Sequence, residues 1–241
     1  ARVFGIVLSD IVGDPLDMIA SGPAVPDSTT CADALAVAEK YGLTLSNAAK
    51  ACLLRETPKA LANVENRITG SVRQLCAAAA QAAAERGYTP VLLTDCLTCQ
   101  AKEAGSFLAS ILRTHAADRK PEEKLAFIAG GETVVRLTGK GLGGRNQELA
   151  LAAAEGISGL DAAVFSLGSD GTDGPTDAAG GYVDYDTAAE LRSQGIDIFQ
   201  VLKDNDAYHA LEKTEALIFT GPTGTNVNDV AIALWAGKKE I

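Results

Sequence analysis

The sequence predicts an α/β fold, and three observations carry that reading. Short apolar runs of strand length alternate with Ala- and Leu-rich runs of helix length. Turns rich in Gly, Asp and Thr fall where strands would hand over to helices. Of 241 residues, 47% are hydrophobic and 22% charged, which suits a folded protein with a core. Strands alternating with helices imply a parallel sheet covered on its faces. The length allows one large or two small domains. The polar, proline-containing stretch at 116–124 (AADRKPEEK) divides the chain into 1–118 and 119–241.

Residues 3–8 form a short apolar run and read as a buried strand. Turn chemistry follows at 9–15, 20–23 and 26–28. Residues 30–41 read as a helix ended by Gly42, and Ser46 can cap another through 55. The stretch 58–66 gives no clear signal. Helix 71–86 stops at Gly87, strand 89–94 follows, and 99–115 is a long helix. The second half repeats the rhythm, with strands at 125–129 and 132–137, a glycine-rich turn, a helix at 145–155 and a strand at 162–167. Helices are expected at 187–194, where Thr187 and Glu190 have capping-box spacing, and at 205–212. A strand at 216–219 and a final helix to Trp235 complete the reading.

The net charge of −10 argues against a broad nucleic-acid or anionic-membrane footprint. Any phosphate must therefore meet local positive groups. The five cysteines, an odd number in Ala-rich segments, fit reduced thiols in a cytoplasmic protein. Cys96 and Cys99 form a C-x-x-C without a second pair for zinc, and read as incidental thiols. No signal peptide and no bilayer-length apolar run is present. The chain opens at Ala1 without a Met and enters a strand at once, as a piece of a longer polypeptide would.

The richest stretch is 139–148 (GKGLGGRNQE). A glycine turn before a helix leaves N–H groups aimed at an anion, and Lys140 and Arg145 add two cations. Gly139, Gly141 and Gly144 also satisfy G-x-G-x-x-G, with Asp161 near the ribose-binding distance. That spacing alone would suggest a nicotinamide-dependent reductase. The preceding segment, with Arg136 between apolar neighbours, is unlike a buried strand, and Arg145 sits where close uncharged packing is wanted. Three further loops stand beside it, holding Asp10 and Asp14, Asp170, Asp173 and Asp177, and residues 223–229. Carboxylates among glycine turns suit magnesium. The hydroxyl and amide groups of Thr223, Thr225 and Asn226 suit a phosphate or carboxylate, or else a capped turn closed by Asn228 or Asp229.

Several blocks carry a resemblance. Residues 9–23 (SDIVGDPLDMIASGP) with Pro26 and Asp27 resemble a signature of the class II glycerate kinases. Residues 130–133 (GGET), 143–148 (GGRNQE), 168–180 (GSDGTDGPTDAAG) and 220–226 (TGPTGTN) resemble the blocks of that family's C-terminal MOFRL domain. The order and spacing fit across essentially the whole chain. The resemblance implies two three-layer α/β domains, the first Rossmann-like and here without its N-terminal part, with the active site between them. It implies ATP- and Mg2+-dependent phosphorylation of D-glycerate to 2-phosphoglycerate, although members also carry the label hydroxypyruvate reductase. The family's glycine-rich first part and a lysine are missing here, and Gln100 stands where relatives tend to carry Glu.

Together these readings give Arg145 and Asp10 as catalytic residues. Lys140, Gly143, Gly144, Asn146, Ser21, Thr223, Thr225 and Asn226 would bind substrate or phosphate. Asp170, Asp173 and Asp14 would hold magnesium. The partner is a small molecule, glycerate, with no nucleic acid or membrane and with a homodimer as candidate assembly. The competing readings are an NAD(P)H-dependent hydroxypyruvate reductase and a non-catalytic binding fragment.

Overall fold

A computed structural model describes residues 1–118 and 123–237. The chain divides into two compact units, Ala1–Val7 with Asp14–Thr69, and Leu8–Gly13 with Gly70–Ile241.

The smaller unit contains β1 (Val3–Leu8), α1 (Cys31–Lys40), α2 (Asn47–Leu53) and β2 (Val64–Gly70). Ser46 caps α2, as its sequence position predicts, and Thr30, expected as the first helical residue, instead forms a reciprocal capping box with Asp33 at the start of α1. β2 lies in the stretch that gave no clear signal. β1 pairs with β2 in a two-stranded sheet, and its apolar side chains are not buried: Phe4 is 61% exposed and Ile6 70%. The expected buried strand is thus a strand without a cover. Among the described residues this unit has no three-layer arrangement, because a two-stranded ribbon offers too little surface to sandwich.

The larger unit is a three-layer α/β sandwich. It contains α3 (Val72–Glu85), β3 (Thr89–Leu97), α4 (Ala101–Asp118), β4 (Leu125–Gly131), α5 (Arg145–Ile157), β5 (Ala162–Gly168), β6 (Gly180–Asp184), α6 (Thr187–Ser193), α7 (Ile198–Asp204), α8 (Ala207–Lys213), β7 (Leu217–Ile218) and β8 (Asp229–Trp235). The sheet order is β3-β4-β8-β5-β6-β7. One core joins α4 and α5 to one face, and a second packs Val72 and Cys76 of α3 on Ile128 and Ile232.

Several expectations are corrected. The final helix is β8, a strand between β4 and β5 that is antiparallel to both. The six-residue apolar run 230–235, with Val230 and Ile232, buries both faces in a central strand, and periodicity alone does not separate that from a helix. The sheet is therefore mixed, with only β3–β4 parallel among its pairs. Residues 132–137 form no strand beyond an isolated bridge from Val134 to Gln100. The helix expected at 205–212 is α8, starting at Ala207, and the short helix α7 before it was not expected; Asn205, in the left-handed conformation (φ 57°), ends α7 and separates the two. Thr187 is the first helical residue of α6 rather than its cap, and its hydroxyl bonds Asp184. The boundary stretch 116–124 lies partly outside the described residues. β3, before that stretch, pairs along its length with β4, after it.

Candidate functional site

β4 ends at Gly131 and β5 at Gly168, and both residues lie opposite Asp229, the first residue of β8. The loops leaving β4 and β5 and the loop entering β8 therefore converge on one point of the sheet edge. That is the edge outside the carboxyl ends of β4 and β5, where open α/β sheets bind ligands. Arg145, the first residue of α5, reaches into it. Its Nε and Nη2 donate to the two carboxylate oxygens of Asp229 at 2.5 and 3.0 Å, and its Nη1 pairs with Glu132 at 2.9 Å. Asp229 is nearly enclosed, at 8% side-chain exposure, whereas Arg145 is 34% and Glu132 46% exposed. Donating to Asp229 pushes the Arg145 pKa further up against the opposing effect of burial, so the guanidinium stays charged. The Asn228 amide donates to Glu132 at 3.3 Å and to the Asp10 carbonyl at 2.8 Å, which places residue 10 at the same edge.

The glycine turn does not do what its spacing suggests. Five consecutive N–H groups are already satisfied from the α7–α8 corner. Asn205 Oδ1 accepts from Thr138 and Gly139 at 2.7 and 2.9 Å. Asp204 accepts from Lys140 through Oδ1 and from Gly141 through its carbonyl, and Asp206 Oδ1 accepts from Leu142. The glycines permit this approach, since a Cβ on Gly139 or Gly141 would stand 2.3 to 2.6 Å from the backbone of Asp204 or Asp206. These amides are therefore not a dinucleotide or phosphate cradle.

The helix start behind the turn is also filled. Asp173 is buried, and its Oδ1 and Oδ2 accept from the N–H groups of Asn146 and Gln147 at 3.1 and 2.9 Å. The helix that invited an external anion is capped by a carboxylate 26 to 27 residues away. Burial raises the Asp173 pKa to about 6, outweighing the two backbone hydrogen bonds that favour the charged form. Gly144 is required here, because a Cβ would strike the Asp173 carboxylate. Asn146 is buried as well, bonding Asp173 and accepting from Ser166 at 2.5 Å. Asp173 thus caps α5, with Gly144 and Asn146 packed against it.

The remaining candidates are scattered. Thr223 donates its hydroxyl to the Ser169 carbonyl at 2.6 Å and accepts from the Thr225 N–H, which makes this loop a self-bonded turn at the same edge. Asn226 is exposed, and its Oδ1 accepts from the Asn228 N–H. Asp170 Oδ1 accepts from the Thr172 N–H. Lys140 is exposed, and Gly143 lines a cavity described below. Asp14 and Ser21 belong to the smaller unit, in a segment of left-handed residues that includes Ala20 and Gly22.

No group of three or more His, Cys, Asp or Glu able to hold a metal occurs among the described residues. With Asp173 engaged at α5, they do not by themselves compose a magnesium site. Between residues 132–137 and the glycine turn lies a cavity of about 600 Å³, walled by Val134, Val135, Pro175 and the turn, with Arg145 among its lining. Buried Glu148 also lines it; burial raises its pKa, and its carboxylate accepts from Asn205.

Sequence reasoning missed Glu132, Asp229 and Asn205. Glu132 follows the Gly130–Gly131 strand end, and Asp229 precedes an apolar run, so both positions were readable as strand edges. Asn205 lies between two aspartates at a helix break, a pattern with no distance signal to the turn it holds.

Two family matches cover much of the chain: "MOFRL family" at residues 125–229 and "Domain of unknown function (DUF4147)" at residues 1–54. A D-glycerate 2-kinase of Thermotoga maritima is 53% identical over 97% of this chain and 57% of its own length. A glycerate kinase of Macaca fascicularis is 34% identical over 95% of this chain and 71% of its own length. A putative hydroxypyruvate reductase of Agrobacterium vitis is 38% identical over 97% of this chain and 55% of its own. A solved glycerate kinase structure from Thermotoga maritima superposes with a TM-score of 0.92 at 53% identity, over 98% of this chain and 57% of that one. The chain thus spans a little over half the length of the first relatives it matches. Among the described residues no helix is long and apolar enough to cross a membrane. With its two family matches in the expected order, and with its likeness to glycerate kinases running nearly end to end, the chain belongs to the class II glycerate kinase family.

Proposed function

We propose that this chain is the C-terminal portion of an enzyme that transfers a phosphoryl group from ATP, with Mg2+, to D-glycerate, giving 2-phosphoglycerate. The observation that supports it best is the Arg145 clamp. Asp229 fixes one edge of the guanidinium, and the half-exposed Glu132 holds Nη1, where an incoming anion can displace it. A fixed guanidinium fork suits the carboxylate of glycerate or the transferring phosphate, and phosphoryl transfer is catalysed mainly by positioning and charge neutralisation. Asp10, whose backbone is tied to Asn228, orients the substrate hydroxyl in this reading, and Asn226 and Thr225 meet substrate oxygens from the neighbouring loop.

The reductase reading loses its main support, because the amides of its glycine fingerprint are engaged by residues 204–206. The test uses full-length protein with ATP, Mg2+ and D-glycerate, followed by ADP release, beside NADH or NADPH with hydroxypyruvate. Glycerate-dependent ADP release is expected. NADH consumption without ATP would overturn the kinase.

A further inference from the structure

We infer that the cavity beside Arg145 is the subsite for the nucleoside part of the phosphoryl donor. The inference rests on the kinase reading above and adds where the donor lies. At about 600 Å³ the cavity is of the size that holds small ligands. Glycerate, a three-carbon acid, would fill a small part of it and leave Val134, Val135 and Pro175 facing water. The glycine turn that forms one wall offers no anion grip, since its N–H groups from Thr138 to Leu142 are bound to residues 204–206. Phosphates therefore find no grip at that wall, away from Arg145. The acids in the lining, Glu132 and Glu148, are hydrogen-bond acceptors for the amino group of a base or the hydroxyls of a ribose. Arg145 is the one base among the lining residues. A nucleotide seated with its uncharged, flat end between the apolar walls directs its charged end towards Arg145, the residue already at the sheet edge where transfer is proposed.

Val134 is 55% exposed, so a larger side chain there can be accommodated by the fold while narrowing the cavity. In full-length protein, Val134→Trp is expected to raise KM for ATP at least about tenfold while KM for D-glycerate changes less than about twofold, since a nucleoside pocket loses whole contacts when filled. A KM change confined to D-glycerate, or none for either substrate, would overturn the inference. Photolabelling of wild-type protein with an 8-azido adenine nucleotide gives a readout independent of turnover and of the variant's folding. Label on peptides spanning 132–148 or 174–175 is expected, and label confined to other segments would overturn it. Should the wild-type protein phosphorylate no glycerate yet carry label in these peptides, the kinase reading falls and the nucleoside subsite stands.

Discussion

Asp229 and Arg145, 84 residues apart in sequence, meet through both carboxylate oxygens at 2.5 and 3.0 Å. The pair joins the start of the central strand β8 to the start of α5, so the orientation of the guanidinium is set by the sheet rather than by a loop. Asp229 is a positioning residue in this arrangement. In the full-length enzyme, Asp229→Asn and Arg145→Ala should each lower kcat/KM for glycerate on the order of 10²-fold, the scale for losing one aligned donor. The double variant should lose little more than Arg145→Ala alone, since both changes remove one unit. Fully additive losses would show that Asp229 acts elsewhere.

Asp173 gives a pH signature. Its carboxyl titrates near 6 in the fold against an ordinary 3.8, because burial outweighs its hydrogen bonds to α5. The folded state binds this proton more tightly than the unfolded state. Its stabilising contribution is therefore full below about pH 3.8 and is lost as pH rises through about 6. The total is about 3 kcal/mol on the usual conversion. Thermal unfolding of wild type and Asp173→Asn should show the wild type's relative stability falling between about pH 4 and 6.5. A difference that stays flat across this window would contradict the burial effect.

Asn205 holds the glycine turn and the α7–α8 corner together. Asn205→Ala strips acceptors from the Thr138 and Gly139 N–H groups and leaves Ala at φ 57°. A loss of about 3 kcal/mol is expected, read as a drop in denaturation midpoint. Asn205→Gly relieves the backbone but not the lost bonds, and should recover only part of it. Full recovery with Gly would mean that the hydrogen bonds are unimportant.

Gly141→Ala separates two uses of the turn. A Cβ there would stand 2.4 Å from the Asp206 Cβ and 2.6 Å from its Cα. Chemical denaturation should reveal a stability loss of about 1–3 kcal/mol. The turn's amides are bonded to residues 204–206, so KM for ATP in the folded fraction should change less than about twofold. A large KM increase without destabilisation would restore the phosphate cradle.

The α/β class was readable because alternation of short apolar and longer amphipathic runs is a local property, and so was the cap Ser46. Arg145 stood out locally as well, as a cation at a glycine-to-helix junction. β8 was misread because an apolar run buried on all sides has no period to distinguish strand from helix. The cap that Asp173 supplies was not readable, because nothing local tells an acidic loop residue from a cap for a helix 26 to 27 residues away.

By itself, then, the sequence determined the α/β class, many of its helices and strands, and which blocks resemble the glycerate kinases. Only the tertiary structure decided what each polar group faces. The α5 start that promised an external anion receives Asp173, the glycine amides receive Asn205, Asp204 and Asp206, and Arg145 receives Asp229. The physical reason is that a buried donor must find an acceptor, and any segment that the fold brings near can supply one, at separations of 26 to 84 residues that local pattern does not encode.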